Sequence, residues 1–153
     1  MKTSDFSRFL TQYLTHYLPV QRNLSSNTIR SYRDTFKLLL IFCRDEKGLN
    51  IAKLNLAKLD KKCIEDFLLW LTNTRGSSPS TYNQRLCAIH AFFAYVMTEE
   101  PAYMEQCILI SNIPSMVSPA PPAQYLTPEK LKHLLSMPDT STAKGRRHLV
   151  LLT

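Results

Sequence analysis

The apolar residues of this chain recur at spacings of three and four over long stretches, and nowhere alternate over a useful length, so the sequence specifies helices and no strands. Phe6, Phe9, Leu10, Tyr13, Leu14, Tyr17 and Leu18 form one stripe, which predicts a helix over 4–18 that stops at Pro19. Ile29, Tyr32, Phe36, Leu39, Leu40 and Cys43 predict a second over 26–46, capped by Ser25 or Ser26 and ended near Gly48. Asp60 opens a third over 60–73, with Ile64, Phe67, Leu68 and Leu71 facing inward. A fourth, over 79–98, starts at Ser78 or Ser80 and carries Tyr82, Leu86, Ile89, Phe93 and Val96 or Met97. Pro101 limits it, and a short fifth helix fits 102–110. The stretch 48–60 reads as a plain basic loop. The expected fold is all-α, with four to five helices in the first domain.

Composition changes after Asn112. Pro114, Pro119, Pro121 and Pro122 crowd "SNIPSMVSPAPPAQ", and proline fixes φ and removes backbone donors, so 113–124 reads as a semi-extended linker. Thr127, Pro128 and Glu129 then supply a cap, a first-turn proline and a first-turn acid for a new helix. A further helix begins near Ser141–Thr142 and runs into the apolar "HLVLLT", read as buried, with Arg146 and Arg147 as surface cations. The expected division is 1–112, a linker over 113–124, and 125–153 as the start of a second domain that continues beyond this chain.

With 44% apolar and 20% charged residues the chain can build a core, and its net charge of +7 suits an anionic partner. Several chemistries lack their residues. Glu99 and Glu100 are adjacent and do not face each other on a helix. His16, His90, His133 and His148 are scattered, without a nucleophile or ligand beside them. Cys43, Cys63, Cys87 and Cys107 form no CxxC pair and no zinc spacing, and read as reduced, mostly buried small hydrophobes. Trp70 reads as core. Nothing approaches the roughly 18 apolar residues of a membrane span, and no secretory signal opens the sequence, so a cytoplasmic protein is expected.

Two helices share a design: polar and basic first, apolar afterwards. The second offers Arg22 ahead of it, then Ser25, Asn27, Thr28, Arg30, Arg33 and Lys37. The fourth offers Ser80, Thr81, Asn83, Gln84 and Arg85. Helix N-termini bind phosphate through free N–H groups and the helix dipole. Arg, Asn and Gln one turn later reach base edges. Side by side, two such helices would make a basic saddle for duplex DNA. Taken singly, each is explained as well by capping and a solvated face.

"SSNTIRSYRDTFKLLLIFC" resembles the second-helix signature of the core-binding domain of tyrosine recombinases, the phage-integrase family, with Thr28, Arg30 and Tyr32 before the apolar stripe. "SPSTYNQRLCAIHAFFAYV" is similar to that family's fourth helix, through Thr81, Asn83, Arg85, Leu86, Ile89 and Phe92–Phe93. "NIPSMVSPAPPAQYLTPEKLKHLL" resembles its linker and the opening of its catalytic domain, with Leu126, Thr127, Glu129 and Leu131 in register. The resemblance covers nearly the whole chain in order. It implies a SAM-like helical domain that lies across one face of a DNA duplex. In the full-length parent it implies site-specific integration and recombination, through a tyrosine that forms a 3′-phosphotyrosyl link, without metal or cofactor, by a tetramer on two DNA sites. None of the seven tyrosines here matches the nucleophile's context, and the catalytic arginines, lysine and histidines would lie further along. These residues are therefore expected to bind double-stranded DNA without cutting it, with no small-molecule substrate. "PAYMEQCILISN" departs from compact relatives and reads either as an extra core helix or as an inter-subunit patch formed by Met104, Cys107, Ile108 and Ile110. A stand-alone DNA-binding regulator and a helical protein-interaction module remain as alternatives.

Overall fold

The computed structural model describes residues 4–117 and 127–152. Most of the expected linker, 118–124, lies outside the described residues, as do Tyr125, Leu126 and Thr153. Among the described residues all regular structure is helical, as expected of a SAM-like core-binding domain. The chain forms two compact units, residues 1–118 and 119–153.

In the first unit, α1 (Asp5–Gln12) is capped by Ser4, whose Oγ accepts from Ser7 N at 3.2 Å. The chain does not stop at Pro19. It continues in a π-helical register over Tyr13–Gln21, with Pro19 inside it. Proline has no N–H to donate and crowds the carbonyl four residues back. The wider register relieves this crowding, and Arg22 N donates to Tyr17 O, five residues back, at 2.9 Å. Asn23 then turns the chain at a positive φ of 47°.

Ser25, rather than Ser26, caps α2 (Ser26–Asp45), and Gly48 just beyond takes φ +61°. The buried side chains of α2 are Thr35, Phe36, Leu39, Phe42 and Cys43; Ile29, Tyr32 and Leu40 are only partly covered. The stretch expected as a plain loop is more than that. It makes two 3₁₀ turns, Ile51–Lys53 and Leu56–Lys58, and Leu54, Leu56 and Leu59 are all fully buried. These leucines fall on a spacing of two and three that fits neither a regular helix nor a long strand.

Asp60 caps α3 (Lys61–Asn73) through Cys63 N at 2.8 Å, and Ser78 caps α4 (Pro79–Glu99). Helix α4 is covered on most of its circumference, with Tyr82, Leu86, Ala88, Ile89, Phe92, Phe93, Tyr95 and Val96 all buried. Phe92 is its centre. Its ring lies 5.9 Å from Phe6, 5.3 Å from Tyr13, 4.9 Å from Phe36 and 5.4 Å from Phe93, each edge to face. A 3₁₀ turn, Pro101–Tyr103, leads into α5 (Met104–Ser111). Cys107 and Ile110 of α5 join the core, as the extra core helix requires, and so do not belong to an exposed patch, whereas Met104, Ile108 and Leu109 stay exposed. Of the four free cysteines Cys43, Cys63 and Cys107 are buried, and Cys87 departs from the expectation by facing solvent.

Asp5 joins three parts of this unit. Its Oδ1 accepts from Leu56 N at 3.0 Å, and its Oδ2 from the Tyr103 hydroxyl at 2.7 Å. That bond pushes the Tyr103 hydroxyl up to about 12, ahead of the effect of burial.

In the second unit Thr127 caps α6 (Pro128–Ser136), and Thr142 Oγ1 accepts from Gly145 N at 2.9 Å at the start of α7 (Ala143–Leu152). Arg146 and Arg147 are exposed. Of the apolar run expected to be buried, Val150 and Leu151 are about three-quarters exposed, at 75% and 77%.

Replacing Phe92 by Ala is expected to cost about 3–5 kcal/mol, as a large aromatic lost from a closed core, while Leu69→Ala, on the exposed side of α3, stays within about 0.5 kcal/mol. Urea unfolding followed by circular dichroism measures both.

Candidate nucleic-acid interface

The two polar helix starts are built alike. Ser25 Oγ accepts from Thr28 N at 3.3 Å and bonds the Thr28 hydroxyl at 3.0 Å. Ser78 Oγ accepts from Thr81 N at 3.2 Å and bonds the Thr81 hydroxyl at 3.1 Å. In each case the serine satisfies one of the first-turn N–H groups and leaves others facing solvent.

Contacts between α2 and α4 fix how these starts are arranged. Gln84 Nε2 donates to Ser31 Oγ at 3.1 Å. Arg85 Nη1 donates to Ser31 O and to Thr35 Oγ1, each at 3.1 Å. Further along, Phe36 meets Phe92. Later residues of α2 meet later residues of α4, so the helices run in the same sense and their N-termini emerge at the same end of the unit.

Ser26, Arg30, Arg33 and Lys37 follow one another at spacings of four, three and four and so share one face of α2. Ser31 and Thr35, which meet α4, lie on another face. The cations therefore flank the seam between the helices and do not line it. Arg22, Arg30, Arg33 and Lys37 are all exposed, and among the described residues none of them forms an ion pair. Arg33 and Lys37 rim an apolar groove floored by Leu10, Leu14, Phe36 and Leu40. Asn27 and Ser80 are exposed on the first turns.

Three residues of α4 are engaged with other parts of the unit. Asn83 holds the chain after α5 at two points: its Nδ2 donates to Met116 O and its Oδ1 accepts from Met116 N, both at 2.8 Å. Gln84 is exposed but engaged with Ser31. Arg85 is half-buried, and its Nε finds no protein partner. Sequence reasoning passed over Thr35, the one buried serine or threonine among the described residues. Its signal was its place on the apolar stripe between Tyr32 and Leu39, where a hydroxyl needs a partner.

His90, one turn after this seam, lies against the Ile110 carbonyl with its Nε2 at 3.1 Å. Burial lowers its pKa, and the bond to Ile110 O opposes this only in part. Among the described residues no group of three or more His, Cys, Asp or Glu side chains is placed to hold a metal, and no helix is long and apolar enough to cross a membrane.

Comparison with known proteins places this sequence in a family. Residues 10–100 match the family described as phage integrase, N-terminal SAM-like domain. The chain is 37% identical over 152 residues to y4rC of Sinorhizobium fredii (strain NBRC 101917 / NGR234), whose name assigns it provisionally to the integrase/recombinases; the match covers 99% of this chain and 46% of that protein. It is 27% identical over 138 residues to tyrosine recombinase XerD of Listeria monocytogenes serotype 4b (strain F2365), covering 90% of this chain and 44% of the relative. It is 23% identical over 145 residues to tyrosine recombinase XerC of Bacillus pumilus (strain SAFR-032), covering 94% and 44%. The chain thus spans about half the length of the curated relatives it matches. No solved structure matches it.

Two outcomes follow from the seam and from His90. Arg85→Ala is expected to lower stability by about 1–3 kcal/mol, because it strips a half-buried hydrogen-bonded pair of its donor, while Arg30→Ala changes it by less than about 0.5 kcal/mol; thermal melts separate the two. For His90 the folded pKa lies below the unfolded one, so the unfolded chain binds the extra proton and stability falls as pH drops below about 6.5. His90→Gln is expected to flatten that part of the pH–stability curve in melts between pH 7.5 and 5.

Proposed function

The chain belongs to the phage integrase family through its N-terminal SAM-like domain, and from that membership we propose that the first unit binds duplex DNA with the end of the molecule where α2 and α4 begin. The observation that carries the reading is the shared direction of these two helices. Two sets of first-turn N–H groups face one way, with the exposed, unpaired Arg22 and Arg30 beside them and Arg33 and Lys37 along the flank. A phosphate backbone is met by such an end through amide donors, dipole and cations together. Ser25, Asn27, Thr28, Ser80 and Thr81 contribute at the surface of the first turns. In this proposal Asn83, Gln84 and Arg85 act mainly by holding α4 and the Met116 segment in place, and touch DNA only at the margin.

For the whole protein the proposed activity is site-specific strand exchange by a tyrosine recombinase: phosphodiester cleavage through a 3′-phosphotyrosyl link, rejoining without cofactor, and assembly of a tetramer on two DNA sites. The proposed organisation is a core-binding domain over 1–112, a connection over 113–124 and the opening of the catalytic domain over 125–153. The names of XerC and XerD relatives support this class of reaction. The role proposed for these 153 residues is binding, in the cytoplasm, where the DNA lies.

Fluorescence anisotropy with random duplex DNA at several salt concentrations tests the binding reading. The wild-type chain is expected to lose affinity steeply with salt, and Arg22→Ala/Arg30→Ala/Arg33→Ala to show a slope shallower by about one unit per lost phosphate contact. Equal binding by the triple variant would move the interface elsewhere. No binding at low salt by the folded chain would favour a protein-interaction module.

A further inference from the structure

The groove rimmed by Arg33 and Lys37 has a volume of about 710 Å³. Its α2 wall is Arg33, Phe36, Lys37, Leu40, Ile41 and Arg44. These fall at helical spacing on one face, over about three turns or roughly 16 Å. Leu10 of α1 and Leu14 of the π-helical segment form the opposite wall. Phe36 is buried, whereas Leu10, Leu14, Leu40 and Ile41 are only partly covered. Helix α2 already sends Thr35, Leu39, Phe42 and Cys43 into the core. The groove is therefore a second apolar face on the same helix, and a face meant only for solvent has no use for Leu40 and Ile41 at its centre. Contiguous apolar surface of this kind, rimmed by polar groups, marks a place where another molecule sits.

The rim says what that molecule must carry. Its charge is of one sign: no carboxylate lines the groove. Among the described residues Arg33 and Lys37 form no ion pair, and Arg44 is paired only with its neighbour Asp45, an exposed pair that yields readily. A phosphate backbone would answer the cations and leave the leucines and Ile41 uncovered. A neutral apolar segment would cover those and leave the cations without partners. A helix with apolar residues at spacings of three and four and carboxylates along one edge answers both. A groove walled by α2 over three turns also takes a helix in the ordinary ridge-and-groove manner.

We propose that this groove is a docking site for an acidic amphipathic helix of a partner protein, its apolar stripe seated on Leu10, Leu14, Leu40 and Ile41 and its carboxylates against Arg33 and Lys37. The docking does not rest on the DNA reading. One consequence does: Arg33 and Lys37 belong to both surfaces, so partner and duplex would exclude each other.

The probe is a fluorescein-labelled peptide of about 16 residues, long enough to form a helix, with leucines at spacings of three and four, glutamates beside them and alanines behind. It is titrated with the 153-residue chain without DNA and followed by anisotropy. The wild-type chain is expected to bind it, and to bind about tenfold more weakly a peptide with serine for leucine and one with lysine for glutamate. Arg33→Glu/Lys37→Glu, at two exposed positions, should lose about tenfold for the acidic peptide and gain for the lysine peptide. Lys58→Glu/Arg75→Glu, equal in net charge and outside the groove, should bind as wild type does; circular dichroism confirms that both variants are folded. No binding at millimolar peptide overturns the proposal. So does equal binding of the serine peptide, or an equal loss in both variants, since either reduces the effect to net charge. A chain that dimerises by itself in sedimentation and is made monomeric by Arg33→Glu/Lys37→Glu also overturns it, by making a second copy the occupant. Labelled duplex added last separates the two readings: a peptide that binds without displacing it upholds the groove and removes Arg33 and Lys37 from the DNA face.

Discussion

The ring of Phe92 is the point on which the first unit is organised. Aromatic edges from α1, from the π-helical segment and from α2 converge on one side chain of α4. Edge-to-face contact favours particular angles between rings, so this cluster fixes orientation as well as burying area. The helices can turn about Phe92 only by giving up several such contacts together. That makes α4 the axis of the domain and explains why so much of its circumference is covered.

A second, polar constraint works beside the aromatic one. Arg85 reaches from α4 to the Ser31 carbonyl and the Thr35 hydroxyl, and Gln84 to the Ser31 hydroxyl. Aromatic packing alone tolerates some sliding along the helix axis, whereas hydrogen bonds to defined atoms do not. The seam thereby sets how far each helix start projects, and the Asn83–Met116 pair ties the departing chain to the same region. The end of the molecule read as the DNA face is thus a product of interior bonding: its exposed amides and cations are placed by residues that point the other way.

The helices were legible because their stripes are long and their caps conventional: Ser25, Asp60, Ser78 and Thr127 all do what their positions suggest. Three things were not legible, each for a physical reason. Pro19 normally ends a helix, and the π register that admits it depends on packing beyond the local sequence. The 48–60 stretch looks basic because its lysines are conspicuous, while Leu54, Leu56 and Leu59 anchor it on a spacing that no regular element has. At the candidate interface, Arg30, Arg33 and Lys37 are exposed as a solvent-facing helical stripe requires, and Arg22 is exposed on the turn before it. Asn83 and Arg85 have the same chemistry as base-reading residues, and only the partner across the seam reveals that their hydrogen bonds are turned inward. A side chain's type states its capacity; the neighbouring element decides where that capacity is used.

The π-helical turn also gives the domain a marker in chain length. A wide turn holds more residues than an α-turn between the same two endpoints. A protein with this fold that lacked one or two residues between Tyr13 and Gln21 would close the segment into ordinary α-helix and keep Phe92 surrounded. Its Arg22 counterpart would then sit at a different angle around the helix. Small deletions at this one place would separate chains that share the helical scaffold from chains that also hold a cation just ahead of α2.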